Sequence, residues 1–374
     1  MAAVLALSTL AACAPEGVVL PGDGGGVTPP DGGGGTPPDG SGGTPPDSPP
    51  PTTGGQPAGS VSVRDFGAKG DGVTDDTTAI RAAAATGKPI WFPWTDAHYK
   101  ITGTIELKDS AFGDARRPEI RFYGANGDPA NGGENNSQNI FLVRNYQGSG
   151  MVIDSLHLNG GWNGVPTARY GDWSPVPPQW SHGIRIMAPS KNVTVRNSWI
   201  EKPVGDCIAI SWYAPVTQPA RNIVIENTKM TNPWRNTVTI IGGEDITIRD
   251  SYHEDLHDGA RWGDPGNFVA VIDLESDPGA HYQYTRNVLI ENNVINTNRC
   301  WGNPGAISLA NASGNSYSGN VAIVGTRGTW VDPVIEIVPG SANAATFNSG
   351  SRSWPGTTAS NNVRDGNTHW EFKK

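Results

Sequence analysis

Two kinds of short apolar strand alternate along the second half of the chain. The first is bounded by Asn or Asp and carries an apolar residue at every second position. Residues 192–197 read NVTVRN, 222–227 NIVIEN, 245–250 DITIRD and 287–292 NVLIEN. Their starts lie 30, 23 and 42 residues apart, so the connections vary while the strands do not. The second kind reads HGIRIM at 182–187, DCIAIS at 206–211, NTVTII at 236–241, NFVAVI at 267–272 and GAISL at 305–309. Strict alternation marks a strand with one buried face, and recurrence every few tens of residues marks a stacked array. One strand of each kind per coil, Val and Ile inward, predicts an all-β solenoid of parallel strands. Asn197, Asn227, Asp250 and Asn292 then fall on one corner, where their side chains can hydrogen-bond from coil to coil.

The array is preceded by a different pattern. Val61–Val63 reads as a short strand, 67–72 as a glycine-rich turn, and 79–85 as a helix with Thr74, Asp75 and Asp76 as available N-caps. Pro89–Pro93 (PIWFP) reads as a buried strand and Tyr99–Leu107 as alternating strands. The order DFGAKGDGVTDDTTAI, then a strand ending in Phe-Pro, resembles the opening segment of the pectate-lyase superfamily, with its rhamnogalacturonase-like, epimerase-like and tailspike-like members. The resemblance implies a right-handed parallel β-helix over 61–345 whose N-terminal end is plugged by the short helix. Residues 346–374, where the repeat fades, are expected to be a cover or a tail.

The first sixty residues are of another composition. They hold 15 Gly, 12 Pro, five acids and no Lys or Arg. TPPD recurs every eight residues at 28–31, 36–39 and 44–47. Such a segment has almost nothing to bury and cannot offset its ordering entropy, so 13–60 reads as a disordered linker. Residues 1–12 (MAAVLALSTLAA) read as a signal-peptide core, too short to span a bilayer. Leu10–Cys13 (LAAC) resembles a bacterial lipobox, although no Lys or Arg precedes the apolar run. It implies cleavage before Cys13, a lipid on Cys13, and a chain held at the cell envelope by that anchor alone.

Charge narrows the function. The chain carries 27 Lys and Arg against 36 Asp and Glu, a net −9. That excludes a broadly basic nucleic-acid-binding protein. A face of stacked coils suits a linear polymer, and proteins resembling this one mostly cut or modify polysaccharides. Residues 205–210 (GDCIAI) resemble the strand of polygalacturonase-type hydrolases that carries two acids. Here one Asp stands where that pattern has two, and the Gly-His-Gly of the next coil is absent, so only Asp206 is carried over. The densest ionisable cluster is 253–262 (HEDLHDGARW), with His257, Asp258 and Arg261 as candidates. His253 aligns with Ile200, Met230 and Ile295, which makes it a core position unless Tyr252 takes that place. Asp273 and Glu275 lie two apart on one strand, a spacing that offers an acid/base pair or a Ca²⁺ site.

A glycosidase needs two carboxyls about 5–10 Å apart, and Asp206, Asp258, Asp273 and Glu275 are the candidates. β-Elimination at a uronate is the alternative, with His257 and Arg261 supplying base and cation, and Ca²⁺ the cofactor it implies. A glycan-binding scaffold without turnover and a structural spike complete the readings. No metal site is read, and nothing in the sequence demands a trimer. Thirteen Trp supply sugar-stacking candidates in loops: Trp173, Trp212, Trp234, Trp262 and Trp301, with Tyr213. Cys207 and Cys300 sit about three coils apart, roughly 14 Å at strand spacing, too far for a disulfide. Both are expected to be unpaired, mostly buried thiols.

Overall fold

The computed structural model describes residues 55–124, 138–161, 181–212, 216–255, 271–276, 285–297, 307–311, 321–329, 335–336, 357–360, 363–364 and 371–373. Three parallel sheets of ten, eight and nine strands wrap around one core. A full coil contributes one strand to each sheet, three in all where the sequence pattern predicts two. In one coil these are Ile208–Ser211 in the eight-stranded sheet, Arg221–Glu226 in the ten-stranded sheet and Lys229–Thr231 in the nine-stranded sheet. The fold is the predicted parallel β-helix.

The expected strands form because alternation serves the core. Ile184, Ile208, Val238, Ile272 and Ile307 pair in register across five coils of the eight-stranded sheet, and all are buried. Val193, Ile223, Ile246, Val288 and Val321 do the same in the ten-stranded sheet. Each such side chain contributes about 1.5–3 kcal/mol through burial. The strand opposite Val238–Ile241 is Ile272–Ser276, not 267–272: Val238 pairs with Ile272 and Ile240 with Leu274. The inward positions therefore move to Ile272 and Leu274. Loop lengths between coils differ, so counting residues did not fix this phase.

The Asn corner is present. Asn197, Asn227, Asp250 and Asn292 all have φ between 46° and 53°, and Asn192, Asn222, Asp245 and Asn287 between 53° and 58°. Asn and Asp tolerate this left-handed conformation better than other side chains with a Cβ. Asn227 Nδ2 donates to Asn197 Oδ1 at 2.7 Å and Asn222 Nδ2 to Asn192 Oδ1 at 2.6 Å.

The helix Thr77–Ala84 caps the first coils and buries Ile80, Ala83 and Ala84. Its N-cap residue Asp76 turns away from the helix. The carboxylate accepts from Lys69 and Gly70 N–H, while Asp75 accepts from Thr77 N–H and hydroxyl. At the other end Thr357–Ser360 and Val363–Arg364 extend two of the sheets. Residues 371–373 return to the Asn corner. Lys373 N–H donates to Asn227 Oδ1, Asn227 Nδ2 donates to Lys373 O, and the Arg117 guanidinium lies 3.4 Å from the Phe372 ring centroid.

Candidate functional site

The described acids of the predicted site, Asp206, Asp273 and Glu275, lie in or at the entry to the eight-stranded sheet. A polar row runs where the chain enters this sheet. Asn139 N–H donates to Thr104 Oγ1, His182 N–H to Asn139 Oδ1, Asp206 N–H to His182 Nδ1 and Asn236 N–H to Asp206 Oδ1, all at 2.8–3.1 Å. Each side chain thus caps the backbone of the coil that follows it. Asp206 is completely buried, and its Oδ2 lies 4.0 Å from Arg235 Nη1. Burial alone would raise the carboxyl. The Arg235 guanidinium, with the Asn236 N–H, outweighs it and holds Asp206 below the usual carboxylate range. Burial lowers the His182 pKa, and accepting the Asp206 N–H at Nδ1 places its ring proton on Nε2. The GDC motif therefore marks a row of inter-coil hydrogen bonds.

The outward row of the same sheet runs Glu106, Leu142, Arg185, Ala209, Thr239, Asp273 and Ser308 in register. Asp273 is 4% exposed and Arg185 2%. Glu275 follows on the same strand, paired with Ile241 and Ala310. At the N-terminal end of this row a cleft of about 470 Å³ opens between the capping helix and the first coils. Arg81, Lys108, Arg144 and Arg185 line it together with Glu106. These residues were not singled out in the sequence. Arg185 was legible there only as the outward position of HGIRIM, and Arg81 as an exposed helix residue.

Two of the aromatic candidates have core positions. Trp212 is 1% exposed, belongs to the hydrophobic core and donates from Nε1 to Val216 O at 2.6 Å. Trp234 is 7% exposed. Both side chains are buried, which leaves neither ring a free face for a sugar. Cys207 is buried and free, as expected, and burial pushes its thiol well above the ordinary value. His253 is buried and pairs in register with Met230 and Ile295, so Tyr252 points outward. Cys13, Trp173, Tyr213, His257, Asp258, Arg261, Trp262, Cys300 and Trp301 lie outside the described residues.

The outer face of the nine-stranded sheet carries a second polar strip. His157 stacks on Trp199 from the preceding coil, with centroids 4.2 Å apart, and Lys229 Nζ lies 4.8 Å from the Trp199 ring from the following coil. Glu201 accepts from Asn159 Nδ2 at 3.0 Å and lies 2.9 Å from His157 Nε2. Tyr252 OH donates to Glu254. With neighbours stacked from both adjacent coils, Trp199 has only its edge to offer. The strip is a side-chain ladder that ties coil to coil. Among the described residues no group of three or more His, Cys, Asp or Glu is placed to hold a metal ion.

Three parallel sheets closed around one core, with polar rows stacked along their outer faces, define a parallel β-helix protein. The chain belongs to the rhamnogalacturonase A/epimerase, pectate lyase-like family, whose model matches residues 60–270. Membership places it among polysaccharide-related β-helix proteins. In structure it is similar to the pre-mature gene product 12 of bacteriophage phi29, at 22% identity and a TM-score of 0.51, covering 74% of this chain and 33% of that one. It is also similar to the N-terminal fragment of the same gene product, at 21% identity and a TM-score of 0.53, covering 81% and 47%. The chain thus spans a third to about half of these proteins, and the likeness is one of fold. No curated protein matches it in sequence.

Proposed function

We propose that the chain binds a linear polysaccharide along the outer face of the eight-stranded sheet and hydrolyses it with Asp273 and Glu275 as the carboxyl pair. The observation that carries this reading is the register. Asp273 stands in the outward row, in line with Thr239, Ala209 and Arg185, and Glu275 follows two residues later. Residues i and i+2 of a strand share a face and stand roughly 6.6 Å apart along it, within the carboxyl separations that glycosidases use. One carboxyl would protonate the departing oxygen and the other would activate water or attack the sugar carbon. Asp206 would support the neighbouring coils without touching substrate. Lipidation at Cys13 and attachment to the envelope belong to the same proposal and rest on LAAC.

The test uses the full chain against neutral and uronate polysaccharides, following reducing ends and unsaturated-uronate absorbance in the same tubes. Reducing ends without absorbance support hydrolysis. Absorbance rising with reducing ends replaces it with elimination. Polymer binding without either signal makes the protein a scaffold.

A further inference from the structure

We propose that the Asn corner from Asn197 to Asp250 is a peptide-docking site for an extended segment with an aromatic residue followed by lysine, and that residues 371–373 occupy it as a detachable clasp. The site lies where the ten-stranded sheet turns into the nine-stranded one, and it does not depend on the hydrolase reading.

The site exists because the ladder changes chemistry at one coil. An Asn side chain has two N–H donors and a carbonyl oxygen, so stacked Asn residues can pass a hydrogen bond from coil to coil. Asn197 Nδ2 donates to Asp154 Oδ1 at 2.9 Å, and Asn227 Nδ2 to Asn197 Oδ1 at 2.7 Å. The next corner residue is Asp250, one position past the register pair Glu226 and Arg249. A carboxylate has no N–H to give, so the ladder cannot continue onto Asn227 Oδ1. The coil 245–250 carries Asp at both corner positions, where the coil before it has Asn222 and Asn227 and the coil after it Asn287 and Asn292. Asn227 therefore keeps an acceptor and a second N–H for a partner outside the ladder, beside a carboxylate.

Residues 371–373 supply each missing group. Lys373 N–H donates to Asn227 Oδ1 at 2.6 Å, and Asn227 Nδ2 donates to Lys373 O at 2.7 Å. The side-chain amide thus reads a main chain much as a neighbouring strand would. Lys373 Nζ pairs with Asp250. The Phe372 ring lies against the Arg117 guanidinium, whose Nε donates to Asn197 O at 2.8 Å and so is fixed to the corner. Three recognition elements result: an amide clamp for any backbone, a carboxylate for a lysine, and a guanidinium face for an aromatic ring. Glu371 and Lys373 are exposed and Phe372 is half-buried, so the segment rests on the solenoid wall without entering the core. Segments held by few buried apolar contacts open far more readily than core strands. Once open, the clamp meets any segment of the same pattern with the same groups.

The test uses the full chain with its own segment disabled by Phe372→Ala and Lys373→Pro, the second of which removes both the N–H and the ammonium. The probe is the N-acetylated peptide WEFKK, the sequence of residues 370–374, titrated while the Asn227 side-chain amide is followed by nuclear magnetic resonance. Saturable binding is expected. It should weaken about tenfold or more when the first lysine of the peptide is replaced by alanine, and as much when Asp250→Asn is added to the protein and completes the ladder. Wild type, whose site is already filled in cis, should bind the peptide more weakly than the disabled variant. A thermal cycle on milder variants gives an answer even if the disabled protein does not fold. Lys373→Ala should lower the midpoint of wild type, and lower it less than half as much in the Asp250→Asn background. No saturable binding to the folded disabled variant, binding indifferent to Asp250→Asn, binding to wild type as tight as to the disabled variant, or equal midpoint shifts in the two backgrounds would each overturn the site.

Discussion

The hydroxyl of Thr237 fixes the tautomer of His253. Thr237 Oγ1 donates to Val271 O at 2.6 Å and lies 2.8 Å from His253 Nδ1. Its one proton is committed to the carbonyl, so it accepts from the ring, and the proton of His253 sits on Nδ1. Nε2 is then a buried acceptor that meets no hydrogen-bond partner among the described residues, with Met230 and Ile295 in register on either side.

Acid stability follows from that imidazole. Burial pushes the His253 pKa down to about 3. The unfolded chain takes up a proton near pH 6.5, the folded chain only near 3, so stability rises with pH through this window and falls as pH drops below 6.5. Between pH 7 and pH 4 the loss from this group is ~3 kcal/mol. His253→Met repeats the residue of the preceding coil and should remove that share. Urea midpoints of both proteins at the two pH values check it, and parallel pH slopes would count against the assignment.

Asp206 should matter to stability before it matters to turnover. Asp206→Ala removes the buried acceptor of the Asn236 N–H and a carboxylate 4.0 Å from Arg235 Nη1, at a cost of about 3–5 kcal/mol. Asp206→Asn keeps an acceptor for the N–H and should cost about 1–3 kcal/mol. Because the folded pKa is depressed, the stabilisation from Asp206 is present above its unfolded value, about 3.9, and is lost as pH falls through the folded one. Chemical denaturation of the two variants measures this. An Asp206→Asn protein with an unchanged midpoint and no activity would give Asp206 a catalytic role instead.

Asp273→Asn and Glu275→Gln should each lower turnover of the best substrate by two orders of magnitude or more, the scale of acid–base catalysis. Far-ultraviolet circular dichroism and the thermal midpoint should stay near wild type. Wild-type rates from either variant, with the fold intact, would remove the pair from the mechanism.

Asn227 joins the ladder and the C-terminal segment. Asn227→Ala loses the bonds to Asn197 and Lys373 and forces a Cβ without a polar side chain to hold φ 46°. A loss of about 2–4 kcal/mol is expected, from the hydrogen bonds and the left-handed backbone together. Asn227→Gly relieves the backbone and should recover part of it. Thermal midpoints of the two variants separate the contributions, and equal losses would mean that the backbone strain is negligible.

The sequence alone determined the solenoid. Alternating Val and Ile bounded by Asn are local signals, set by the two-residue period of a strand and by the few side chains that tolerate a left-handed corner. They placed Val193, Ile223 and Ile246 inward, stacked Asn197 under Asn227, and aligned His253 with core positions while leaving Tyr252 as the alternative. Only the tertiary structure decided what each polar residue does. Asp206 is one motif residue in the sequence. Its burial and its bond to Asn236 exist only once coils of unequal length are stacked. The phase of Ile272–Ser276 depends on pairing with Val238–Ile241 across a loop whose length no local rule fixes. Arg81, Arg144 and Arg185 carry no common motif, yet they share a cleft, because parallel stacking sets side by side residues far apart in the chain.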